Sequence, residues 1–569
     1  MKIKTLVIIL MTLSCSRLQI VDPLAGHKRQ EYEASSENYM ISTQGVYSSK
    51  AGKKMFELGG NAVDAATAIS FVISVERPQS TGLGGGGFML INIPGSGVKA
   101  IDFREKAPLK AYEKMYLDKD GKEIPRMSLD GIHAGGVPGL VAGVLEAHSR
   151  YGKLPIEKVL APAIELAEKG FDVYPELAFA LNHRKKVLAR FPSSKAIFLH
   201  SDGTPLIVGE KIFQKDLAKT LKTIVKKGKN GFYRGWVAKA IVKESKKRGG
   251  FIRYGDLRRY NVKWREPVVG KYKGLDIYSM SPPSSGGVHV VQILNILEGL
   301  ELKKFGPQSP KSIHYTASAM QLAFADRAKY LGDADFVKVP VKGLTSKAYA
   351  KELRAQIQPN TAKKMKAVDH GNPFPYESSE TTHFTVMDRY GFVVSSTQTI
   401  NGLMGSGLVI PGTGIVLNNE MDDFATKVGA KNLFGAVGGE KNLVESEKRP
   451  LSSMSPTIVL NKGKPVIALG TPSGTRILTC VAQVLLNYLE HELPLYESVA
   501  ATRIHHQWYP DSIRIGPPYF NDKLLNRLKG IGYKINKSPL HCRIQAISNE
   551  EGKLHGVSDP RGEGLSIGG

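Results

Sequence analysis

An α+β fold, with helices and sheets packed in layers, is what this sequence predicts, on three observations. Apolar residues recur at helical spacing through most of the first 355 residues, whereas after Thr381 the text turns to short extended runs. A polar stretch carrying Pro359, Pro373 and Pro375, residues 356–380, separates the two and reads as a mobile connector. Helices first and strands later, in one chain, argue for mixed layers. The 569 residues exceed one small core and suggest several domain-sized units. A 42% hydrophobic and 23% charged composition excludes disordered and fibrous classes.

Taken in order, Lys2 and Lys4 precede an apolar stretch, 6–13, and then Ser14-Cys15, so residues 1–15 read as a signal peptide and the protein as exported, to the periplasm or beyond. The apolar stretch falls far short of the ~20 residues a spanning helix needs. Ser14-Cys15 also resembles the end of a lipoprotein signal, but Thr12 stands where Leu is usual; simple cleavage and a lipid anchor on Cys15 both stay open. Residues 16–40 are polar and aperiodic, a flexible lead-in. Helical spacing follows at 51–58 and at 62–75, with Asn61 in capping position. Strands are expected at 88–93 and 98–103, and helices at 137–151 and 156–169. Residues 175–260 read as charged amphipathic helix, including 217–225 and 237–245; two further helices fall at 289–300 and 313–331. Beyond the connector come strands at 382–387, 392–399, 457–460 and 466–469, then one long apolar helix, 475–488.

Lys plus Arg number 78 against 52 Asp plus Glu, a net charge of +26. The densest basic runs, 222–229 and 243–248, fall where amphipathic helices show a wet face, so the charge reads as solvated surface and no nucleic-acid partner is expected. Several other features are decoys. Gly82 to Gly87 matches a dinucleotide-binding string, but a helical pattern precedes it and a strand follows, the reverse of what that chemistry needs; a glycine turn allowing close backbone approach is the expectation. His505 and His506 are adjacent, not at the i, i+4 spacing of zinc ligands on one helix face. Apart from Cys15 only Cys480 and Cys542 remain; a disulfide is open to them in an oxidising compartment, and two core thiols are the expectation.

Around Thr381 the pattern carries chemistry. Residues 382–388 and 392–399 flank Arg389-Tyr390-Gly391, a three-residue loop ending in Gly, which is a favoured hairpin turn. Asp388 then faces Phe392, and counting back puts Thr381 opposite Thr399, with Asn401 on the same face if the strand continues. From the pattern alone a surface hairpin with polar ends is the favoured reading, but it leaves unused the position of Thr381 at the junction of two different halves. If the Glu380–Thr381 bond is cut, Thr381 carries both a hydroxyl and an α-amine. An α-amine titrates near ~7.7–8, so its neutral form can take the hydroxyl proton, and one residue supplies nucleophile and base.

With these residues in hand, the chain resembles the γ-glutamyltranspeptidase family over residues 45–569. The strings that carry the resemblance are Glu380-Thr381-Thr382-His383-Phe384, Leu417-Asn418-Asn419-Glu420-Met421-Asp422-Asp423-Phe424, Lys448-Arg449-Pro450-Leu451-Ser452-Ser453-Met454-Ser455-Pro456-Thr457 and Asp102-Phe103-Arg104-Glu105. The resemblance implies a four-layer αββα sandwich of the N-terminal-nucleophile hydrolase type. It implies one precursor cut between Glu380 and Thr381 into a large subunit (41–380) and a small one (381–569) that stay together and form the sandwich jointly. It implies glutathione or another γ-glutamyl compound as donor, water, amino acids or dipeptides as acceptors, and no cofactor or metal. Residue by residue, Arg104, Ser452 and Ser453 match the groups that hold the donor's α-carboxylate. Asp423, with Asn401 and Glu420, matches those that hold its α-ammonium, and Thr399 the threonine that orients the nucleophile. Two positions depart from the family pattern. Ser473-Gly474 stands where the oxyanion hole has a Gly-Gly pair, which preserves the N–H donors provided the φ/ψ of Ser473 does not demand glycine. Phe434 stands where the lid often carries a tyrosine, which predicts a looser lid and relatively more hydrolysis. Two rival readings are an acylase of the same fold acting on β-lactam side chains, against which Asp423 argues, and an uncleaved binding protein.

Overall fold

The computed structural model describes residues 29–364, 381–430, 432, 433, 435 and 438–569. The expected signal peptide with Cys15, most of the expected lead-in, the later part of the connector including Glu380, and Phe434 lie outside the described residues.

Two seven-stranded sheets form the centre. One runs in the order Glu33–Ser36, Lys553–Ser558, Gln545–Glu550, Lys464–Gly470, Thr457–Asn461, Leu275–Ser279, Val268–Tyr272. The other runs Leu565–Gly568, Tyr39–Thr43, Thr382–Asp388, Val393–Thr399, Gly86–Ile93, Gly97–Asp102, Lys263–Arg265. The sheets face each other, with Thr382–Asp388 and Val393–Thr399 against Gln545–Glu550 and Lys464–Gly470. Helices Val46–Glu57, Ala62–Glu76 and Leu140–Tyr151 cover the outside of the second sheet, and Gly286–Glu298, Arg476–Leu485 and Leu495–Ala500 the outside of the first. The architecture is therefore the αββα sandwich. Helix Ala62–Glu76 is buried along its whole length, which suits a helix apolar on every side. It starts where Asn61 accepts from the Val63 and Asp64 N–H groups while Asp64 accepts from Asn61 N–H, a reciprocal cap.

The predicted helices and the four strands around the glycine run and hairpin all appear, with ends shifted by a few residues where caps decide the boundary. Three expectations are corrected. The stretch 33–40 does not belong to a lead-in: Glu33–Ser36 pairs with Lys553–Ser558, and Tyr39–Thr43 lies between Thr382–Asp388 and Leu565–Gly568. The first half is less helical than expected: besides the strands expected at 88–93 and 98–103, Tyr39–Thr43, Lys263–Arg265, Val268–Tyr272 and Leu275–Ser279 join the sheets, which interleave segments from before and after the connector. Cys480 and Cys542 are not thiols but a disulfide, tying helix Arg476–Leu485 to the loop ahead of Gln545–Glu550. Spacing in sequence, 62 residues, carries no signal of that pairing.

The glycine run does what close approach requires. A Cβ on Gly85 would sit 2.0 Å from the Thr399 carbonyl oxygen, and one on Gly86 2.6 Å from that of Phe103. The Gly85 carbonyl also accepts from the Gly139 and Leu140 N–H groups, 2.9 Å each, which seats the start of helix Leu140–Tyr151. Gly85 is thus pressed against the end of strand Val393–Thr399. Gly85→Ala is expected to push Thr399 out of place, destabilising the protein by about 1–3 kcal/mol. A lowered urea midpoint with an unchanged slope checks this, and wild-type stability would show that the backbone there gives way.

Candidate active site

Thr381 is the first described residue after the connector and leads directly into strand Thr382–Asp388. That strand pairs with Val393–Thr399 in the register Thr382↔Gln398 to Met387↔Val393, which extended by one step sets Thr381 opposite Thr399 and Asp388 opposite Phe392. The turn is the one expected: Gly391 has φ 89°, its N–H donates to the Asp388 carbonyl at 3.1 Å, and Asp388 N–H donates to the Phe392 carbonyl at 3.0 Å. The Thr381 and Thr399 hydroxyl oxygens are 3.4 Å apart, and Thr381 is 4% exposed. The strand does not continue to Asn401, which has φ 73°. The chain turns there, Asn401 N–H donates to Thr399 Oγ1 at 2.7 Å, and its side-chain amide donates to the Asn419 carbonyl at 3.0 Å.

One cavity gathers most of the predicted site. Arg104, Thr381, Thr399, Asn401, Glu420, Asp423, Ser452, Ser453 and Gly474 all line it. Ser473 does not line it: its hydroxyl donates to the Leu540 carbonyl at 2.5 Å and accepts from Arg476 Nε at 2.9 Å. Glu380 and Phe434 lie outside the described residues. His383, inside a quoted string, is a satisfied core side chain, with Thr397 and Thr385 hydroxyls on its two ring nitrogens at 2.8 and 3.1 Å. Burial lowers its pKa to about 3, so it is neutral and supplies no base.

The strings meet because each is anchored by the others. Asp102 ends a strand and accepts from Arg104 N–H at 2.9 Å; it also pairs with Arg265 and Arg449, at 2.7 and 3.3 Å. The Pro450 carbonyl accepts from Arg104 Nε at 3.3 Å, bringing the serine string alongside. Asn418 accepts from the Gly136 and Glu420 N–H groups and donates to the Gly84 carbonyl, which fixes the acidic string against the glycine run. Asn432 donates to Asp423 at 2.8 Å and Leu433 N–H to Asp422 at 2.7 Å, so the same acidic string holds the segment next to the cavity.

The electrostatics are set by burial. Arg104 is 1% exposed and pairs with Glu420 through Nη1 and with Asp423 through Nη2, the latter at 2.5 Å, while Glu105 lies 3.8 Å from Nη1. Burial works against its charge, but Glu420 and Asp423 hold it firmly protonated. The three carboxyls are pushed up instead: Glu105 to about 7, Glu420 well above the usual range and Asp423 upward, burial being the first cause in each. Glu105 also raises Glu420, its charge disfavouring a second one beside it. Three buried acids gathered around Arg104, two of them lining the cavity, favour a cationic ligand group there.

Ser473 has φ 114° and Gly474 φ 53°, the region where glycine is at ease and serine is strained. The proviso placed on Ser473 therefore matters, and the bonds to Leu540 and Arg476 are what hold the serine in that conformation.

Three residues at the site went unread in the sequence. Glu105 stood beside Arg104 with no role assigned. Asn432 carried no signal. Arg327, which lines the cavity, sits in the last turn of helix Pro310–Tyr330, where a basic residue reads as ordinary dipole compensation.

The sequence profile of the γ-glutamyltranspeptidase family matches residues 48–569. A glutathione hydrolase proenzyme of Escherichia coli (strain K12) is 44% identical over 92% of this chain and 90% of its own. Among solved structures, the cephalosporin acylase of Bacillus halodurans superposes with a TM-score of 0.84 at 26% identity over 95% of this chain and 98% of its own. The γ-glutamyltranspeptidase of Helicobacter pylori gives 0.55 at 46% identity over 58% of this chain and 96% of its own. With its αββα sandwich and Thr381 at the mouth of a central strand, the chain belongs to the γ-glutamyltranspeptidase family.

Proposed function

We propose that this protein is an exported γ-glutamyltranspeptidase and glutathione hydrolase, made as a precursor that cuts itself between Glu380 and Thr381. The observation that carries the reading is the 3.4 Å approach of the Thr381 and Thr399 hydroxyls in a cavity that also holds Arg104, Glu420 and Asp423. A nucleophile thus sits beside charges of both signs, which is what a γ-glutamyl group, with its α-carboxylate and α-ammonium, requires. Asp423 and its acidic neighbours also favour this donor over a β-lactam side chain lacking an ammonium, which would leave their charge unmet.

In the first half-reaction the neutral Thr381 amine takes the hydroxyl proton as Oγ1 attacks the γ-amide carbonyl carbon. The N–H groups of Ser473 and Gly474 receive the oxyanion. The C–N bond then breaks, the proton passes to the leaving amine, and a γ-glutamyl ester remains on Thr381. In the second half-reaction water, or the amine of an amino acid or dipeptide, attacks the ester carbon and the Thr381 hydroxyl is restored. Thr399 orients the attacking oxygen, and Asn401, fixed by its own N–H on Thr399, shapes the pocket beside it. The cut chain remains one particle of two subunits, 41–380 and 381–569. Residues 1–15 serve export, and Cys15 is the position a lipid anchor would take.

Denaturing electrophoresis of the purified protein is expected to give two bands, the smaller beginning at Thr381 by N-terminal sequencing. Thr381→Ala is expected to give one band and to lower γ-glutamyl-anilide hydrolysis by at least roughly 10⁴-fold. An intact wild-type chain that still turns over glutathione would overturn the reading.

The pH dependence separates two groups of titrating residues. At saturating donor, kcat is expected to fall as pH drops through the ~7.7–8 of an α-amine, because the protonated amine accepts no proton. KM is expected to rise as pH drops below about 7, because Glu105, raised to about 7, takes up a proton and the negative field around the ammonium site weakens. Glu105→Gln should flatten the KM profile and leave the kcat profile in place; a KM profile of unchanged shape would remove Glu105 from that role.

At Ser473 the order of activities is expected to be glycine at least equal to serine, and serine above alanine. Alanine keeps the strained φ, worth about 1–3 kcal/mol, and gives up the bonds that offset it, whereas glycine removes the strain. Measured kcat for Ser473→Gly and Ser473→Ala checks this, and an alanine variant as active as wild type would show the bonds to be idle.

A further inference from the structure

Two guanidinium groups reach the cavity, and they are not equivalent. Arg104 has every nitrogen engaged: Nη1 on Glu420, Nη2 on Asp423 and Nε on the Pro450 carbonyl. Arg327 is 5% exposed and, among the described residues, pairs with no carboxylate within ion-pair distance. Its hydrogen bonds go to two serine hydroxyls instead, Nε to Ser285 Oγ at 3.0 Å and Nη2 to Ser453 Oγ at 3.1 Å, which leaves Nη1 unengaged among the described residues. Burial lowers its pKa, to about 10, with Asp423 the one charge supporting it at longer range; at neutral pH it is still a cation.

The hydroxyl bookkeeping gives those contacts a direction. Ser453 Oγ accepts from Arg327, so its single proton is free to point at something else, and Ser453 borders the cavity. Ser285 Oγ accepts from Arg327 and passes its proton to the Ser452 carbonyl at 2.8 Å, which also accepts from Ser285 N–H at 2.8 Å. One buried guanidinium therefore fixes both serines, Ser453 through its hydroxyl and Ser452 through its backbone. A buried cation without an anion is costly unless a ligand supplies the partner.

We propose that Arg327 is a specificity-determining residue of the donor site. It is the unneutralised cation that meets the donor's α-carboxylate, and it positions Ser453 to donate its proton to that same group. The proposal rests on the γ-glutamyl reading given above and deepens it: Arg104 already has Glu420 and Asp423 on its nitrogens, and Arg327 adds beside it a cation that no acid pairs with among the described residues.

The test compares ligands with and without the α-carboxylate. Calorimetric binding of L-glutamate and of 4-aminobutyrate to the processed enzyme is measured alongside kinetics on γ-glutamyl-anilide and 4-aminobutyryl-anilide, for wild type, Arg327→Met, Arg327→Lys and Ser453→Ala. Loss of a charge-assisted contact predicts that Arg327→Met weakens glutamate binding and raises KM for the γ-glutamyl donor about 10- to 100-fold, with kcat within about fivefold. Binding and turnover of the 4-aminobutyrate compounds should stay within about threefold. Arg327→Lys, which keeps the charge without the fork, should fall between, and Arg327→Met combined with Ser453→Ala should cost less than the product of the two. Where the methionine variant fails to mature, Arg327→Lys and Ser453→Ala carry the same comparison. Equal losses on both ligand types, or an unchanged affinity for glutamate, would overturn the proposal and leave Arg327 a packing residue. A wild-type protein that binds glutamate but cleaves no anilide would count against the catalytic reading alone, because the binding comparison stands without turnover.

Discussion

Pairing of Thr382–Asp388 with Val393–Thr399 in one fixed register is the constraint from which the site follows. Side chains on a strand alternate faces, so a slip of one residue would turn Thr381 away from Thr399 and scatter the cavity lining. The hairpin cannot slip because it is not an edge. Tyr39–Thr43 binds one side and Gly86–Ile93 the other, and the turn at Gly391 fixes the count. At the far end Gly85 lies against the Thr399 carbonyl and His383 bonds to Thr397 across the pair. Each of these holds the same two threonines in place, which is why so much of the sheet's polar content is buried and satisfied around them.

Charge balance is the second constraint. Burying ions is costly, and the pocket buries five: Glu105, Glu420, Asp423, Arg104 and Arg327. They are distributed unevenly, with the acids collected on Arg104 and Arg327 set apart among serines. The acids have an outlet in taking up protons, and their pKa values are pushed up accordingly; Arg327 has no such outlet, since a guanidinium does not readily give one up. A zwitterionic ligand relieves both strains at once, with its ammonium on the acids and its carboxylate on the serine side. On the proposed reading, this arrangement favours a γ-glutamyl group over an acyl group carrying only one of those charges.

Much of this was legible before any coordinates. Hairpin register came from a three-residue turn and simple counting, and the helix at Asn61 from its cap, because these are local rules acting on adjacent residues. The family strings located Arg104, Asp423 and the serines. What escaped is non-local. Glu33–Ser36 looks like polar chain until Lys553–Ser558 pairs with it, and the strands Val268–Tyr272 and Leu275–Ser279 lie between residues 260 and 289, where the sequence pattern assigned no element, their role supplied by Thr457–Asn461. The Cys480–Cys542 bond joins segments that only the fold makes neighbours. Arg327 is the sharpest case: basic residues at helix C-termini are common, and nothing in its own helix reveals that Ser285 and Ser453 wait beside it.

Interleaving of the two sheets also bears on how a chain could be cut next to its own nucleophile without falling apart. In the first sheet Leu275–Ser279 pairs with Thr457–Asn461, and Glu33–Ser36 with Lys553–Ser558; in the second, Tyr39–Thr43 and Gly86–Ile93 enclose the hairpin. Each of these ladders joins a segment from before residue 365 to one from after residue 380, and the helical layers close over both. Separating the pieces would expose both sheet edges and the apolar faces between them, a cost on the scale of unfolding the domain. The disulfide would play no part in that cohesion, since both of its cysteines lie after residue 380. A backbone break at Thr381, as proposed, would therefore change the chemistry of one residue, giving a new amine beside its hydroxyl, while the register that aims that hydroxyl would stay held by the strands on either side.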